Sequence, residues 1–412
     1  MKYGCIGERL KHSFSKEIHN ALADYEYDIR EIPRDELRAF LETRDFLAVN
    51  VTIPYKQLVI PYLYYIDEHA KAIGAVNTIV NKGGKLYGYN TDFYGMSMLL
   101  SHADIDLKGK KVAILGTGGT SKTAFAVASA LSAREIVTVS RSEQRGSVTY
   151  DELYELHGDT EVIINTTPVG MYPNIFGKPV ELSKCPILTG VIDAVYNPLR
   201  TPLISQAKER GISAQGGLYM LVAQGVRASE IFMDTTYERQ ALDLVYQKMM
   251  KEKENIVLTG MPSSGKSTVG KLLAEYLNRE FIDTDSLIEE KTDMSIPDIF
   301  KTFGEERFRE IECEVVRDIA AKTGVVIATG GGVPLRHENV SALKQNGRVY
   351  FIDRPVEELI ATGDRPLSST KEAVYKRYNE RYEVYKASAD VLIDADCPAD
   401  MVAEKITGEI GV

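Results

Sequence analysis

The sequence predicts an α/β fold built in several parts, and three observations carry that prediction. Two glycine-rich loops, Gly116–Ser121 and Gly260–Thr268, each follow an apolar, strand-like run and open a helix-like run. Strand, glycine loop and helix in that order place backbone N–H groups and a helix N-terminus where a phosphate can sit. The third observation is length. A chain of 412 residues exceeds what one hydrophobic core organises, so two or more domains are expected.

Composition excludes several function classes. Hydrophobic residues at 44% and charged residues at 26% are ordinary globular values and argue against a disordered or fibrous chain. A net charge of −10 argues against general nucleic-acid or membrane-surface binding, so arginine and lysine are expected in local anion sites. Cys5, Cys185, Cys313 and Cys397 lie far apart, which predicts neither a disulfide framework nor a zinc site and fits a reducing cytosol. Met1-Lys2-Tyr3-Gly4 is no signal core, and no apolar run reaches the length of a membrane span. The six histidines show no ligand spacing. A cytoplasmic protein acting on small molecules is the expectation.

Strands are expected at Lys2–Ile6, from Val49 into the turn Pro54-Tyr55-Lys56, and at Ala75–Val80 and Leu86–Tyr89 around Gly83-Gly84. Residues 1–100 would form one α/β domain, completed by helices returning over 217–250. Residues 101–216 read as a βαβ-rich dinucleotide domain of the Rossmann type. The charged stretch 247–254 is the expected junction, as a tether or a helix extension. Residues 255–412 alternate strand and helix again, as a small parallel P-loop domain does.

In the first loop, Gly116, Gly118 and Gly119 would let a pyrophosphate approach the backbone, although Ser121 stands at the third glycine place. The next strand ends in Ser140 and Arg141, with Arg145 close behind, where a nicotinamide–adenine site usually holds an acid. Two guanidinium groups there suit a 2′-phosphate, hence NADP(H).

The second loop matches G-x-x-x-x-G-K-[ST] in full. Gly260, Ser263 and Gly265 shape the turn, Lys266 would reach the outer phosphates of a nucleoside triphosphate, and Ser267, beside Thr268, would sit on Mg²⁺. Asp283 and Asp285 close the following strand-like run. As residues i and i+2 of an extended segment they would face one cleft, able to serve the metal or take a proton.

The ordered motifs also carry a resemblance. His12-Ser13-Phe14-Ser15, Asn50-Val51-Thr52-Ile53-Pro54-Tyr55-Lys56, Gly74-Ala75-Val76-Asn77-Thr78 and Asn90-Thr91-Asp92 precede the first glycine loop. Asp193-Ala194-Val195-Tyr196-Asn197-Pro198 and Leu221-Val222-Ala223-Gln224 follow it. Residues 1 to about 250 thereby resemble shikimate dehydrogenase. The resemblance implies that Ser13, Ser15 and Tyr196 hold a substrate carboxylate, and that Thr52, Asn77, Asp92 and Gln224 hold ring hydroxyls. It makes Lys56 and Asp92 the catalytic pair. The chemistry agrees, because reducing a ketone leaves an alkoxide that needs a proton and a cation beside it. For Asp92, a helix N-cap is a competing role. Phe93 stands where the family often has glycine, and Ser140 where it often has asparagine.

From about residue 255, the P-loop, the run Phe303–Glu312, Ala328-Thr329-Gly330-Gly331-Gly332, Asp364-Arg365-Pro366-Leu367 and Arg381-Tyr382-Glu383 resemble shikimate kinase. That resemblance implies Asp283 on the Mg²⁺ water shell and Asp285 on the acceptor hydroxyl. It places Arg309 and Arg381 on the acceptor carboxylate, backed by Gly330, Gly331 and Gly332, and Arg365 on a lid over ATP. The two halves would then convert 3-dehydroshikimate to shikimate and shikimate to its 3-phosphate. Two alternatives stay open: one half serving as a nucleotide-sensing regulatory module, and a dehydrogenase half that accepts quinate.

Overall fold

The computed structural model describes residues 1–8, 10, 14–142, 146–359 and 371–411. The chain forms two compact units, Met1–Met249 and Met250–Val412. Among the described residues no helix is long and apolar enough to cross a membrane.

The first unit contains two sheets. Strands β1 (Tyr3–Gly7), β2 (Tyr27–Glu31), β3 (Ala48–Val51), β4 (Tyr65–Ile66), β5 (Thr78–Lys82) and β6 (Lys85–Tyr89) lie in the order β2-β1-β3-β5-β6-β4. β5 and β6 form an antiparallel hairpin closed by Gly83 and Gly84, both at positive φ (61° and 81°), which glycine adopts without a Cβ penalty. β5 begins at Thr78 rather than Ala75. The amides of Ala75 and Val76 bond instead to the carbonyls of Ala70 and Lys56, which ties this segment to the lysine-bearing turn.

Strands β7 (Lys111–Leu115), β8 (Glu135–Val139), β9 (Val162–Asn165), β10 (Gly190–Asp193) and β11 (Ser213–Gln215) form a parallel sheet in the order β11-β10-β9-β7-β8. β7, β9 and β10 are buried along their whole length, as expected of strands covered on both faces. Strand order reverses beside β7. The crevice outside its carboxyl end is therefore where a parallel sheet of this kind takes its ligand.

The expected helical stretch after Gly217 is two helices, Leu218–Met233 and Arg239–Lys253. The break falls at Asp234, whose left-handed φ of 50° ends the first helix with its N–H on the Glu230 carbonyl. The second helix covers most of the charged stretch 247–254.

In the second unit, β12 (Asn255–Thr259), β13 (Phe281–Asp283), β14 (Val326–Ala328), β15 (Gly347–Asp353) and β16 (Val391–Asp394) form a parallel sheet ordered β13-β14-β12-β15-β16. Its core packs Ile256, Leu258, Val269, Leu273, Val326 and Ile352 between sheet and helices. β12 lies at the centre and feeds the second glycine loop straight into the helix Lys266–Leu277.

Candidate active sites

In the first unit a cleft of about 540 Å³ opens beside the carboxyl ends of β3 and β7. Ser15, Thr52, Lys56, Asn77, Asp92, Tyr196 and Gln224 all line it, although they come from six separate stretches of chain. Ser13 lies outside the described residues. Fully buried Tyr55 donates to the Ile32 carbonyl, which pins the turn so that its neighbour Lys56 faces the cleft. Lys56 Nζ then lies 2.6 Å from Asp92 Oδ2.

Asp92 is not the N-cap of its helix, Asp92–His102. Asn90 serves that end instead, its Oδ1 accepting from the amides of Asp92 (3.0 Å) and Phe93 (3.3 Å). The Asp92 carboxylate is thereby left to the lysine. Asn77 Oδ1 accepts from the Thr91 amide at 2.8 Å, and Gln224 Nε2 donates to the Leu221 carbonyl at 3.0 Å, so the protein's own backbone orients both amide side chains.

Sequence reasoning missed several of this cleft's residues. Asn50, Cys5 and Met220 line it as well. Asn50 is held from behind by Tyr27, whose hydroxyl donates to its Oδ1 at 2.7 Å, while its Nδ2 donates to Thr78 Oγ1 at 3.1 Å. The signal was one buried amide inside an apolar strand. Cys5 is a buried thiol, and burial pushes it up to about 12, so it is no nucleophile near neutrality.

At the first glycine loop, Gly118 and Gly119 are exposed, and a Cβ on either would touch nothing. Gly116 has a φ of 107°, and a Cβ there would crowd Thr166 Oγ1 at 3.0 Å. An open backbone ledge above a close-packed turn fits a pyrophosphate. Ser140 is buried at the end of β8, and Arg141 is exposed next to it. Arg145 lies outside the described residues.

The second unit has a cavity of about 690 Å³ over the P-loop. Ser263, Gly265, Lys266, Ser267, Thr268, Asp283, Asp285, Arg309, Gly331, Gly332 and Arg381 line it. Positive φ at Gly260 (154°), Ser263 (67°) and Gly265 (91°) curls the loop. Lys266 Nζ donates to the carbonyls of Gly260 (3.0 Å) and Met261 (2.9 Å), bracing the loop. Gly260 and Gly330 are packing positions rather than wall. A Cβ on Gly260 would meet Ile352 O at 2.9 Å, and one on Gly330 would meet Asp285 Oδ1 at 2.3 Å.

The two carboxylates do share a cleft, but for a different reason from the one their spacing suggested. β13 stops at Asp283, and Asp285 is already in the helix Thr284–Thr292. Asp283 Oδ1 caps that helix, accepting from the Asp285 amide at 3.0 Å, and Oδ2 takes the Ser267 hydroxyl at 2.6 Å. A hydroxyl and a carboxylate in contact beside a phosphate loop form a hard-oxygen donor set suited to Mg²⁺.

Arg309 reaches the cavity wall already paired. Its Nη1 lies 2.9 Å from both oxygens of Glu312, and Nη2 lies 3.2 Å from Glu305. Burial pushes the Glu312 carboxyl above its ordinary value, against the pull of Arg309. Glu312 and Arg377 were both missed. The helical i, i+3 spacing from Arg309 to Glu312 was the available signal. Arg381 Nη1 donates to the Gly331 carbonyl at 3.0 Å. Arg365 lies outside the described residues. Among the described residues, no cluster of three or more His, Cys, Asp or Glu side chains suits a metal ion.

Residues 5–79 match the family model for the shikimate dehydrogenase substrate-binding domain, and residues 262–410 match that for shikimate kinase. A Clostridium perfringens protein named shikimate dehydrogenase (NADP(+)) is 38% identical over 265 residues, covering 60% of this chain and 97% of its own. The crystal structure of a chorismate mutase/shikimate 5-dehydrogenase fusion protein from Clostridium acetobutylicum is 33% identical with a TM-score of 0.57, covering 60% of this chain and 96% of its own. A Thermus thermophilus shikimate 5-dehydrogenase, solved with NADP(H) and shikimate, is 27% identical with a TM-score of 0.54, over 60% of this chain and 99% of its own. Both glycine loops, the Lys56–Asp92 pair and these likenesses converge: the chain belongs to the shikimate dehydrogenase family through its first unit and carries a shikimate kinase domain in its second, joining an oxidoreductase to a phosphotransferase of the shikimate pathway.

Proposed function

We propose that the first unit reduces 3-dehydroshikimate to shikimate with NADPH, and that the second phosphorylates the 3-hydroxyl so formed, using ATP and Mg²⁺. The observation that carries the reading is the Lys56–Asp92 pair at 2.6 Å in a cleft ringed by hydroxyl and amide side chains. A cyclohexene polyol needs that ring of partners, and its carbonyl needs a cation that also holds a proton.

NADPH supplies hydride when bound, and Mg²⁺–ATP supplies the phosphoryl group. Gly116, Gly118, Gly119, Ser140, Arg141 and Arg145 would hold the dinucleotide. Ser13, Ser15 and Tyr196 orient the acid by its carboxylate, while Thr52, Asn77 and Gln224 fix the ring hydroxyls. Lys56 stabilises the oxygen as negative charge develops and delivers its proton there. Asp92 keeps the ammonium aimed, 2.6 Å from its carboxylate.

In the second unit, Lys266 and the P-loop amides of Ser263, Gly265 and Thr268 would hold the phosphates, with Ser267 and Asp283 on the metal side. Asp285 accepts the proton of the attacking hydroxyl. Arg309 and Arg381 would grip the acceptor carboxylate near Gly330, Gly331 and Gly332, and Arg365 would add positive charge for ATP. Positioned charge of this kind supplies most of the rate in phosphoryl transfer. The protein would work in the cytoplasm.

The test is incubation of purified protein with 3-dehydroshikimate, NADPH, ATP and Mg²⁺, with every product identified, beside a parallel reaction on quinate. Shikimate and then shikimate 3-phosphate are expected in the first. If neither compound forms, the reading is wrong.

A further inference from the structure

Asp193, the last residue of β10, is a fully buried carboxylate that no step above uses. Its Oδ2 accepts from Thr201 Oγ1 at 2.7 Å. Its Oδ1 accepts from the Val195 amide at 3.0 Å and from Asn165 Nδ2 at 2.9 Å. These donors belong to segments that lead to opposite sides of the hydride-transfer site.

On the dinucleotide side, Asn165 ends β9, and its Oδ1 accepts from both the amide (3.0 Å) and the hydroxyl (2.7 Å) of Thr167. Thr166 and Thr167 lie against the first glycine loop. A Cβ on Gly116 would come within 3.0 Å of Thr166 Oγ1 and 3.1 Å of Thr167 Cγ2. On the acid side, the turn that leaves Asp193 carries Tyr196 into the cleft. The Val195 carbonyl accepts from the Gly217 amide at 2.9 Å, which seats the start of the helix bearing Gln224. That seat is tight, since a Cβ on Gly217 would fall 2.3 Å from the Ala194 carbonyl.

Burying a carboxylate is a poor way to gain stability, because an apolar side chain of similar volume serves as well or better. Here burial raises the group to about 6 despite three donors. A charged acceptor at this point is better explained by the need to fix three segments at once. We propose that Asp193 is a positioning residue that holds the dinucleotide loop and the acid-binding turn in one register, so that hydride donor and acceptor meet at reacting distance. The proposal rests on the dehydrogenase reading of the first unit.

The experiment measures steady-state kinetics of both activities in the full chain carrying Asp193→Asn, Asp193→Ala, Thr201→Val or Thr201→Ser, together with melting temperature. Misplacing reacting groups by a fraction of an ångström acts mainly on kcat, so reduction should slow about tenfold in Asp193→Asn and about a hundredfold in Asp193→Ala. The KM values for keto acid and NADPH should each move by less than about threefold. Shikimate phosphorylation should be unchanged, since it resides in the other unit. Thr201→Val removes one donor and should slow reduction, whereas Thr201→Ser restores it. A kcat within twofold of wild type, with only a lower melting temperature, overturns the proposal. If Asp193→Ala does not fold, Asp193→Asn and the Thr201 pair decide it by the same criteria. Wild-type protein that fails to reduce 3-dehydroshikimate sinks the underlying reading instead, and the proposal with it.

Discussion

Asn90 takes the two amides that open the helix Asp92–His102, and Asp92 consequently gives its carboxylate to Lys56 at 2.6 Å. An aspartate at a helix start would otherwise fold back onto those amides. Replacing Asn90 with alanine should therefore cost about 1 kcal/mol of stability and also slow reduction several-fold, as Asp92 divides itself between lysine and helix. Lys56→Ala should lower kcat by about 10³-fold or more, because cation and proton source leave together. In both variants shikimate phosphorylation should keep its wild-type rate, which a coupled assay of the same sample reads directly.

Asp283 serves two roles that one substitution separates. It caps the helix Thr284–Thr292 and holds the Ser267 hydroxyl at 2.6 Å. Asparagine caps a helix as well as aspartate does, but it carries no charge for a metal. Asp283→Asn should leave the melting temperature nearly unchanged, raise the Mg²⁺ concentration needed for half-maximal phosphorylation, and lower kcat about a hundredfold. A Mg²⁺ titration at fixed ATP checks it, and an unchanged half-maximal concentration would remove Asp283 from the metal site.

What could be read from the sequence was local. Each glycine loop lies between its own strand and helix, so G-x-x-x-x-G-K-[ST] carries its context with it. The seven cleft residues of the first unit were found through ordered short motifs, not through any pattern linking one stretch to another. What escaped was long-range or depended on register. Two acids after an apolar run read as strand through Asp285, yet a capping Asp283 ends β13 one residue after Ile282. Asp193, Asn165 and Thr201 are ordinary polar residues until β9 and β10 pair in register and bring them together. The Tyr27–Asn50 bond likewise joins positions 23 apart that meet only because β2 and β3 both flank β1.

Gly332 is required by a neighbour rather than by its own backbone, whose φ is −97°. A Cβ there would lie 1.7 Å from Arg309 Nη1, so any side chain must displace the guanidinium from its pairing with Glu312. Gly332→Ala should therefore leave folding largely intact and raise the KM for shikimate about tenfold, the loss of one oriented charge-assisted contact. The KM for ATP should stay within twofold. If both rise together, Gly332 shapes the P-loop rather than the acceptor site.

His19 gives the first unit a pH dependence that a single variant isolates. It is buried, stacked on Tyr27 with centroids 4.0 Å apart, and bonded through Nδ1 to the Tyr25 hydroxyl at 2.5 Å. Burial lowers its pKa from 6.5 to about 3. Above pH 6.5 the ring is neutral in both folded and unfolded chains, so it adds no pH dependence there. Below that value the unfolded chain takes up the proton and the folded chain does not, so stability falls with pH until about 3. At pH 5 the loss from this group alone is about 2 kcal/mol. Asp193, raised from 3.8 to about 6, trends the opposite way, and comparison with His19→Phe cancels it. Wild type should therefore lose stability relative to His19→Phe between pH 7.5 and pH 5, measured by urea unfolding of the first unit. A constant difference across that range would mean that the ring is protonated in place.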